Sequence, residues 1–325
     1  MRLFSKIKLD RFVILIILAV ILATLFPAQG LWETLLKYLA KIGIALLFFM
    51  HGAKLSRQSI LSGITNWRMH LLIFCLTFII FPFLGILLQF IPENILNPTI
   101  YSGFLFLCAL PSTVQSSIIF TSSARGNVAG AVCSASISSL LGVIVSPFLV
   151  GQLLNTHGGA IITIDFLDSV KDIVLQLMLP FFLGHFARPL VGNWIQKHSK
   201  LVKFTDQSSI LIVVYTAFSK AIIDGLWHRV GSVDLVLISV VSILLLGIVI
   251  ILSHQFSKLL KFKIEDEIVV VFCGSKKSLV NGVPMANILF PSAMVGVMIL
   301  PLMIFHQIQL IISAILAQRY AQRKD

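Results

Sequence analysis

Charged side chains are scarce in this sequence. Of its 325 residues, 12% are charged and 58% are hydrophobic, whereas a soluble domain carries about 25% charged residues. This composition excludes an ordinary soluble domain and predicts an integral membrane protein. The apolar residues form runs of about 18–25, a length that favours bundled transmembrane helices over a β-barrel.

Cysteine is also rare, with four residues that all lie inside apolar runs and form no C-x-x-C pair. That pattern argues against a disulfide framework or a cysteine metal site and predicts small buried side chains. Phosphate-binding loops, zinc clusters and nucleophile elbows are missing as well. We therefore predict that the protein is not an enzyme and that it uses no cofactor or metal.

The apolar runs predict an all-α polytopic membrane protein with ten transmembrane helices in one domain, residues 1–325. The first run could instead be a signal peptide, but no small-x-small cleavage site follows it cleanly, so a retained helix is favoured. The approximate limits of the ten spans are 11–27, 34–53, 69–91, 99–123, 127–154, 169–190, 205–227, 234–257, 265–289 and 291–318.

The basic residues predict the orientation. The net charge is +12, and the basic side chains lie between the apolar runs rather than on one soluble face, so no nucleic-acid partner is expected. With the N-terminus in the cytoplasm, the outer ends hold little beyond Lys37, Lys171 and Arg229. This asymmetry predicts a multi-pass protein of the inner or plasma membrane with both termini cytoplasmic. The inner basic residues are Arg2, Lys6, Lys8, Arg11, Lys54, Arg57, Arg68, Arg125, Arg188, Lys197, Lys200, Lys203, Lys258, Lys261, Lys263, Arg319, Arg323 and Lys324.

The ten spans divide into two halves of five. Because five is odd, the second half enters the membrane from the opposite side, which predicts an inverted repeat. The fourth and ninth spans then correspond, and both are interrupted: Pro111 breaks the fourth, while Gly274 and Gly282 bracket Lys276 and Lys277 in the ninth. Broken helices at corresponding positions are typical of transporter binding sites.

The two lysines lie about a dozen residues from either end of their span, near the bilayer centre. Burial there costs at least about 2.5–3.5 kcal/mol on insertion scales, which favours a functional role. Alternatively, one lysine stabilises the broken helix and the other snorkels along the core. The charge could be met by backbone dipoles, lost with a proton, or paired with a bound anion.

Weaker polar features leave alternatives open. His306, Gln307 and Gln309 lie in the middle of the tenth span and face either a cavity or a buried hydrogen-bond partner. His51 lies near a cytoplasmic helix end and is predicted to be solvated.

Three motifs resemble the bile acid:sodium symporter superfamily. They are Ala124-Arg125-Gly126-Asn127-Val128-Ala129 after the proline-interrupted span, Ser146-Pro147 at the end of the fifth, and His306-Gln307-Ile308 in the tenth. The similarity covers nearly the whole chain in span order. It is to the branch with lysine in place of sodium ligands, which includes bacterial symporter-like proteins and relatives of the seventh human bile-acid carrier.

The resemblance implies a fold of two parts. A core would contain residues of about 69–154 and 234–318, and a panel would contain about 11–53 and 169–227. The fourth and ninth spans would cross at their breaks, and the substrate would bind between core and panel, behind the crossing.

The resemblance also implies that the sodium ligands are altered. Sodium-coupled members place a glutamate and, four residues on, a glutamine at the ninth-span break, and these positions align with Phe272 and Lys276. A third-span glutamine aligns with Thr77. Further family ligands fall near Ser116 and Ser117 in the fourth span and near Ala135, flanked by Ser134 and Ser136, in the fifth.

A lysine at a sodium position repels a second cation by several kcal/mol at about 4 Å, even at an effective dielectric constant of ~20. We therefore predict that the Lys276 ammonium fills the former sodium space. It would donate hydrogen bonds to the free carbonyls at the end of the first half-helix and to neighbouring hydroxyls.

These features predict a secondary active transporter that moves a small organic anion by alternating access. It would not be classically sodium-coupled, and would be proton-linked or a uniporter. The alternatives are a regulatory or sensor protein on a transporter fold, and a sodium-coupled bile-acid-type symporter with altered ligands. The residues predict no oligomeric state. The candidate substrate or coupling residues are Thr77, Pro111, Ser112, Thr113, Gln115, Ser116, Ser117, Ser134, Ser136, Phe272, Gly274, Ser275, Lys276, Lys277, Ser278, Asn281, His306 and Gln307.

Overall fold

The computed structural model describes residues 11–54, 66–157, 174–225 and 230–323, and within these ranges every regular element is a helix. The α-helices are α1 (Arg11–Leu25), α2 (Leu31–Lys54), α3 (Trp67–Cys75), α4 (Phe81–Leu87), α5 (Pro98–Ala109), α6 (Val114–Ser123), α7 (Val128–His157), α8 (Leu179–Lys197), α9 (Ser199–Ile223), α10 (Ser232–Leu259), α11 (Ile264–Gly274), α12 (Leu279–Leu289) and α13 (Ser292–Ala321). A π-helix (Leu76–Ile80) joins α3 to α4, a 3₁₀ turn (Leu88–Phe90) follows α4, and a second π-helix (Val174–Met178) precedes α8.

Several of these helices are long and apolar enough to cross a membrane. Among the residues that the structure describes, five segments qualify by length and composition: Leu31–Ala53, Trp67–Phe90, Val128–His157, Ser232–Leu259 and Ser292–Ala321. The described helices are consistent with the prediction of an all-helical, polytopic membrane protein, whereas the ten-span inverted repeat stays a prediction. Among the basic residues used for orientation, Arg2, Lys6, Lys8, Arg57, Lys171, Arg229 and Lys324 lie outside the described residues.

Both predicted helix interruptions are present. Helix α5 ends at Ala109 and α6 begins at Val114, with a 65° bend between them. Pro111 lies in this gap, where its missing N–H cannot continue the helical hydrogen bonds. Helix α11 ends at Gly274 and α12 begins at Leu279, so residues 275–278 form the second interruption.

Helices α1, α2, α8 and α9 pack together, with α2 against both α8 and α9 and α1 against α9. The approach of α2 to α8 depends on two glycines. A Cβ on Gly52 would overlap the carbonyl oxygen of Phe181, and one on Gly184 would overlap that of Phe49. Small residues allow such close backbone contact between membrane helices.

The remaining helices surround the two breaks. Helix α13 packs against α5, α6, α10 and α12, while α11 packs against α3, α6 and α7. Glycines again admit close neighbours, because a Cβ on Gly142 would overlap the Pro111 ring and one on Gly282 would lie 2.5 Å from Leu302. Helix α9 contacts α12 and α13 and so joins the two groups.

Candidate functional site

The two helix breaks lie against each other and share hydrogen bonds. The Ser278 amide donates to the Pro111 carbonyl over 2.9 Å. The Ser117 hydroxyl donates to the Phe272 carbonyl, also over 2.9 Å. Each break leaves main-chain groups without a hydrogen-bond partner in their own helix, and hydrogen bonds from the other break satisfy some of these groups.

The place where the two breaks meet is called the crossing below. Lys277 lies there and is fully buried. Its Nζ donates to the carbonyl oxygens of Thr77, Cys108 and Leu110 over 2.8, 2.8 and 2.7 Å. It also lies 4.1 Å from the centroid of the Phe81 ring. All three ammonium protons therefore have an oxygen partner, and the ring adds a cation–π contact.

Proline and the π-helix explain why the Thr77 carbonyl is available. The Phe81 amide donates to Leu76, five residues earlier, so it does not bond Thr77. The next amide would belong to Pro82, which has no N–H. This carbonyl thus has no donor in its own helix, and the π-turn directs it to the crossing.

The other two carbonyls become available at the Pro111 break. The Ser112 amide, which a continuous helix would pair with Cys108, donates to the Ser138 hydroxyl over 3.1 Å. The Leu110 carbonyl belongs to the non-helical gap before α6. Lys277 therefore binds carbonyl groups that local sequence features leave without helical partners.

Gln309 of α13 holds the main chain of Lys277. The amide of Lys277 donates to Gln309 Oε1 over 2.9 Å, and Gln309 Nε2 donates back to the Lys277 carbonyl over 3.0 Å. The same Nε2 lies 2.8 Å from His306 Nδ1. Because an amide nitrogen only donates, His306 Nδ1 is the acceptor and its proton lies on Nε2.

We expect Gln309→Leu to lower the free energy of unfolding by about 2–4 kcal/mol, because it leaves a buried N–H and C=O of Lys277 unpaired. The matched control is Gln307→Leu, since Gln307 is half-buried and two residues away on the same helix. Thermal unfolding of the two purified variants measures the difference. Equal midpoints for both variants would contradict this role for Gln309.

Lys276 does not make the contacts that the sequence predicted for it. It is fully buried, its Nζ has no hydrogen-bond partner, and it lies 4.1 and 5.1 Å from the ring centroids of Phe120 and Phe272. The prediction that Lys276 bonds the free carbonyls is therefore wrong, and Lys277 takes that position. The physical reason is that α11 ends at Gly274, so side-chain directions after it no longer follow helical spacing.

A cavity of about 260 Å³ adjoins the crossing. One wall is built from α6, α7, α12 and α13, and its polar residues are Thr113, Gln115, Ser116, Ser136, Ser139, Ser278, Asn281 and His306. A second wall carries His51 of α2 and Lys203, Asp206 and Gln207 of α9. The remaining lining is mainly apolar, from Phe12, Val114, Ile119, Leu140, Phe181, Ile210, Val280 and Leu310.

The predicted site residues thus fall into three groups. Thr113, Gln115, Ser116, Ser136, Ser278, Asn281 and His306 line the cavity. Thr77, Pro111, Ser112, Ser117, Phe272, Gly274, Ser275, Lys276 and Lys277 are buried at or around the crossing. Ser134 and Gln307 belong to neither group: Ser134 bonds His70 Nδ1 over 2.8 Å, and Gln307 is half-buried outside the cavity lining.

The sequence analysis did not predict that residues of α9 line the cavity. Asp206 is buried, and its Oδ2 lies 3.7 Å from Nε2 of His51, which the sequence placed in solvent. Lys203 was interpreted as a membrane anchor only. One sequence feature could have indicated this wall: Asp206 is a carboxylate inside a predicted span, and Gln207 is next to it.

Comparisons with known proteins identify the family of this chain. Residues 10–322 match the model of the SBF-like CPA transporter family. The chain is 54% identical over 317 residues to "Putative symporter YfeH" of Escherichia coli strain K12, covering 98% of this chain and 94% of the relative. It is 25% identical over 322 residues to "Sodium/bile acid cotransporter 7" of Rattus norvegicus, covering 97% and 94%.

The match covers nearly the entire chain, and both the family and these relatives are transporters rather than enzymes. The resemblance inferred from the arginine-glycine-asparagine motif and the broken spans is thereby confirmed. The chain belongs to the SBF-like CPA transporter family, of the bile acid:sodium symporter type, and is a multi-pass membrane transporter.

Proposed function

We propose that this protein is a secondary active transporter that moves a small organic anion by alternating access, with the Lys277 ammonium in place of a coupling sodium ion. This proposal rests on one observation, the three main-chain carbonyl oxygens that accept hydrogen bonds from Lys277 Nζ. Carbonyl oxygens are also suitable ligands for a hard cation. The rat relative is named for sodium and bile acid, but here a covalently attached cation occupies the oxygen cluster.

The fixed charge disfavours sodium at the same place. Two unit charges about 4 Å apart repel by about 4 kcal/mol at an effective dielectric constant of 20. A sodium ion would have to displace the lysine from three hydrogen bonds before it could bind. Transport is therefore linked to protons or is uniport.

An anionic cargo is favoured by the helix ends at the cavity. Thr113 is the N-cap of α6 and Ser278 is the N-cap of α12, and both line the cavity. Each helix N-terminus carries a partial positive charge and free N–H groups, which together favour anions. Ser116, Ser139 and Asn281 add side-chain donors on the same wall.

Alternating access is supported by the position of the cavity between two helix groups. The cavity is lined by Phe12, His51, Phe181 and Asp206 of α1, α2, α8 and α9, and its other lining residues come mainly from α6, α7, α12 and α13. We assign the first group to a panel (about 11–53 and 169–227) and the second to a core (about 69–154 and 234–318). Rocking of one against the other would move the site across the inner membrane.

The remaining parts of the proposal concern topology. The two broken spans are taken as equivalent members of a ten-helix inverted repeat with cytoplasmic termini. Each break is followed by a helix whose N-cap lines the cavity, which supports treating the two broken spans as equivalent. The cavity also borders the start of α1, the end of α2 and the first half of α9, which this topology places on the cytoplasmic side.

The test is uptake into proteoliposomes. A radiolabelled anion is chosen as the one that most raises the unfolding temperature of the purified protein. We expect time-dependent uptake that is unchanged when potassium replaces sodium. Ile119→Trp, which fills the cavity, should abolish uptake, while Ile243→Trp on the exposed face of α10 should not.

Two outcomes would contradict the proposal. Uptake that requires sodium would favour the sodium-coupled alternative. Absence of flux for every stabilising anion, together with a co-purifying protein partner, would favour a regulatory or sensor protein.

A further inference from the structure

Asp206 places a carboxylate in the wall of the cavity that is proposed to hold an anion. The residue is 4% exposed and lies on α9, facing the cavity beside Gln207. Its Oδ2 is 3.7 Å from Nε2 of His51, which also lines the cavity. Lys203, one helical turn earlier, is exposed and lines the same cavity.

A carboxylate at this position conflicts with a cargo that is only anionic. Like charges in a confined, weakly screened space repel, so Asp206 would weaken binding of a simple anion. A buried carboxylate instead favours a cation or strong hydrogen-bond donor next to it. The wall built from α6 and α12 has the reverse preference, because it presents the N-termini of these two helices.

The two preferences belong to different helix groups. Ser116 and Ser278 lie on the α6 and α12 wall, whereas Asp206 and His51 lie on α9 and α2. A ligand with a single charged end can satisfy one wall only. A ligand with an anionic group at one end and an ammonium at the other satisfies both at once.

We propose that the substrate is a zwitterion, with its ammonium bound by Asp206 and its carboxylate or sulfonate bound at the N-terminal turns that begin after Thr113 and Ser278. This inference rests on the proposed transport function and specifies its substrate class. Such a ligand bridges the two helix groups, so its binding energy favours the arrangement in which both walls contact it. The cargo is also electrically neutral overall, which removes the need for a mobile sodium ion to balance an anionic charge.

The experiment compares ligands that differ by one ammonium group. The purified full-length protein is titrated with 4-aminobutyrate and butyrate, 6-aminohexanoate and hexanoate, and taurine and ethanesulfonate, and Kd is obtained from the rise in unfolding temperature. We expect the amino member of at least one pair to bind about tenfold to 100-fold more tightly, as for a hydrogen bond to a charged group.

Asp206→Asn is expected to remove this preference, because the amide keeps the shape of the side chain but lacks the charge. The matched control Glu33→Gln also removes one carboxylate, but Glu33 pairs with Lys37 on α2 away from the cavity. It should keep the wild-type preference. If Asp206→Asn does not fold, the comparison within the ligand pairs on the wild-type protein still tests the inference, because it requires no variant.

Equal binding within every pair by the wild-type protein would overturn the inference, as would a preference that survives in Asp206→Asn. Plain anions that bind and are transported without regard to an amino group would overturn it while leaving anion transport intact. Loss of uptake for all anions would instead count against the transport proposal itself.

Discussion

Replacing Lys277 with methionine is expected to lower the free energy of unfolding by about 3–5 kcal/mol, whereas the same change at the adjacent Lys276 is expected to cost little or nothing. Lys277→Met leaves the carbonyls of Thr77, Cys108 and Leu110 without a donor in the buried crossing. Helical neighbours cannot replace the ammonium, because Pro82 has no N–H and the Ser112 amide is engaged by Ser138.

Lys276→Met is the matched control. Lys276 Nζ has no hydrogen bond to lose, and a methionine sulfur packs well between the Phe120 and Phe272 rings. Removing an unpaired buried amine can even stabilise the protein. Unfolding temperatures of both purified variants in the same detergent measure the effect. An equal fall in unfolding temperature for both variants, or a larger fall for Lys276→Met, would show that the hydrogen bonds from Lys277 to the buried carbonyls do not stabilise the protein.

Shortening Lys277 to alanine is expected to create sodium-dependent stability that the wild-type protein lacks. The truncated side chain vacates a space bordered by three carbonyl oxygens, and the buried Thr77 hydroxyl, which has no hydrogen-bond partner, belongs to the same residue as one of them. Several neutral oxygens suit a small hard cation. With sodium at tenfold excess over its Kd, the gain is about 1.4 kcal/mol.

The measurement compares unfolding temperatures in sodium chloride and choline chloride at equal ionic strength. Lys276→Ala opens a space of the same size, but aromatic rings border it, so we expect no sodium dependence there. Sodium stabilisation of the wild-type protein, or a Lys277→Ala variant that does not respond to sodium, would contradict the replacement of sodium by lysine.

Much of the helix pattern could be predicted from local sequence. The span predicted at 234–257 is a helix from Ser232 to Leu259, since its long apolar run contains no proline. The helices predicted as the fourth and ninth spans are interrupted where Pro111 and Gly274 indicated. These features depend on hydrophobic length and on the backbone chemistry of single residues, which are properties of neighbours along the chain.

The division of roles between the two lysines could not be predicted in this way. The oxygens around Lys277 come from residues 77, 108 and 110, about 170 to 200 positions earlier in the chain. Its orientation is set by Gln309, which the sequence suggested only as facing either a cavity or a buried partner. The α9 wall was missed for the same reason, because Asp206 and His51 come together from different helices.

Composition and spacing by themselves determined that this is a helical membrane transporter with two broken spans and buried lysines at one break. Only the tertiary structure decided that Lys277, not Lys276, binds the carbonyls, and that a buried carboxylate lines the same cavity as two helix N-caps. The physical reason is that hydrophobicity and proline act locally, whereas a buried charge is satisfied by groups that only packing brings together.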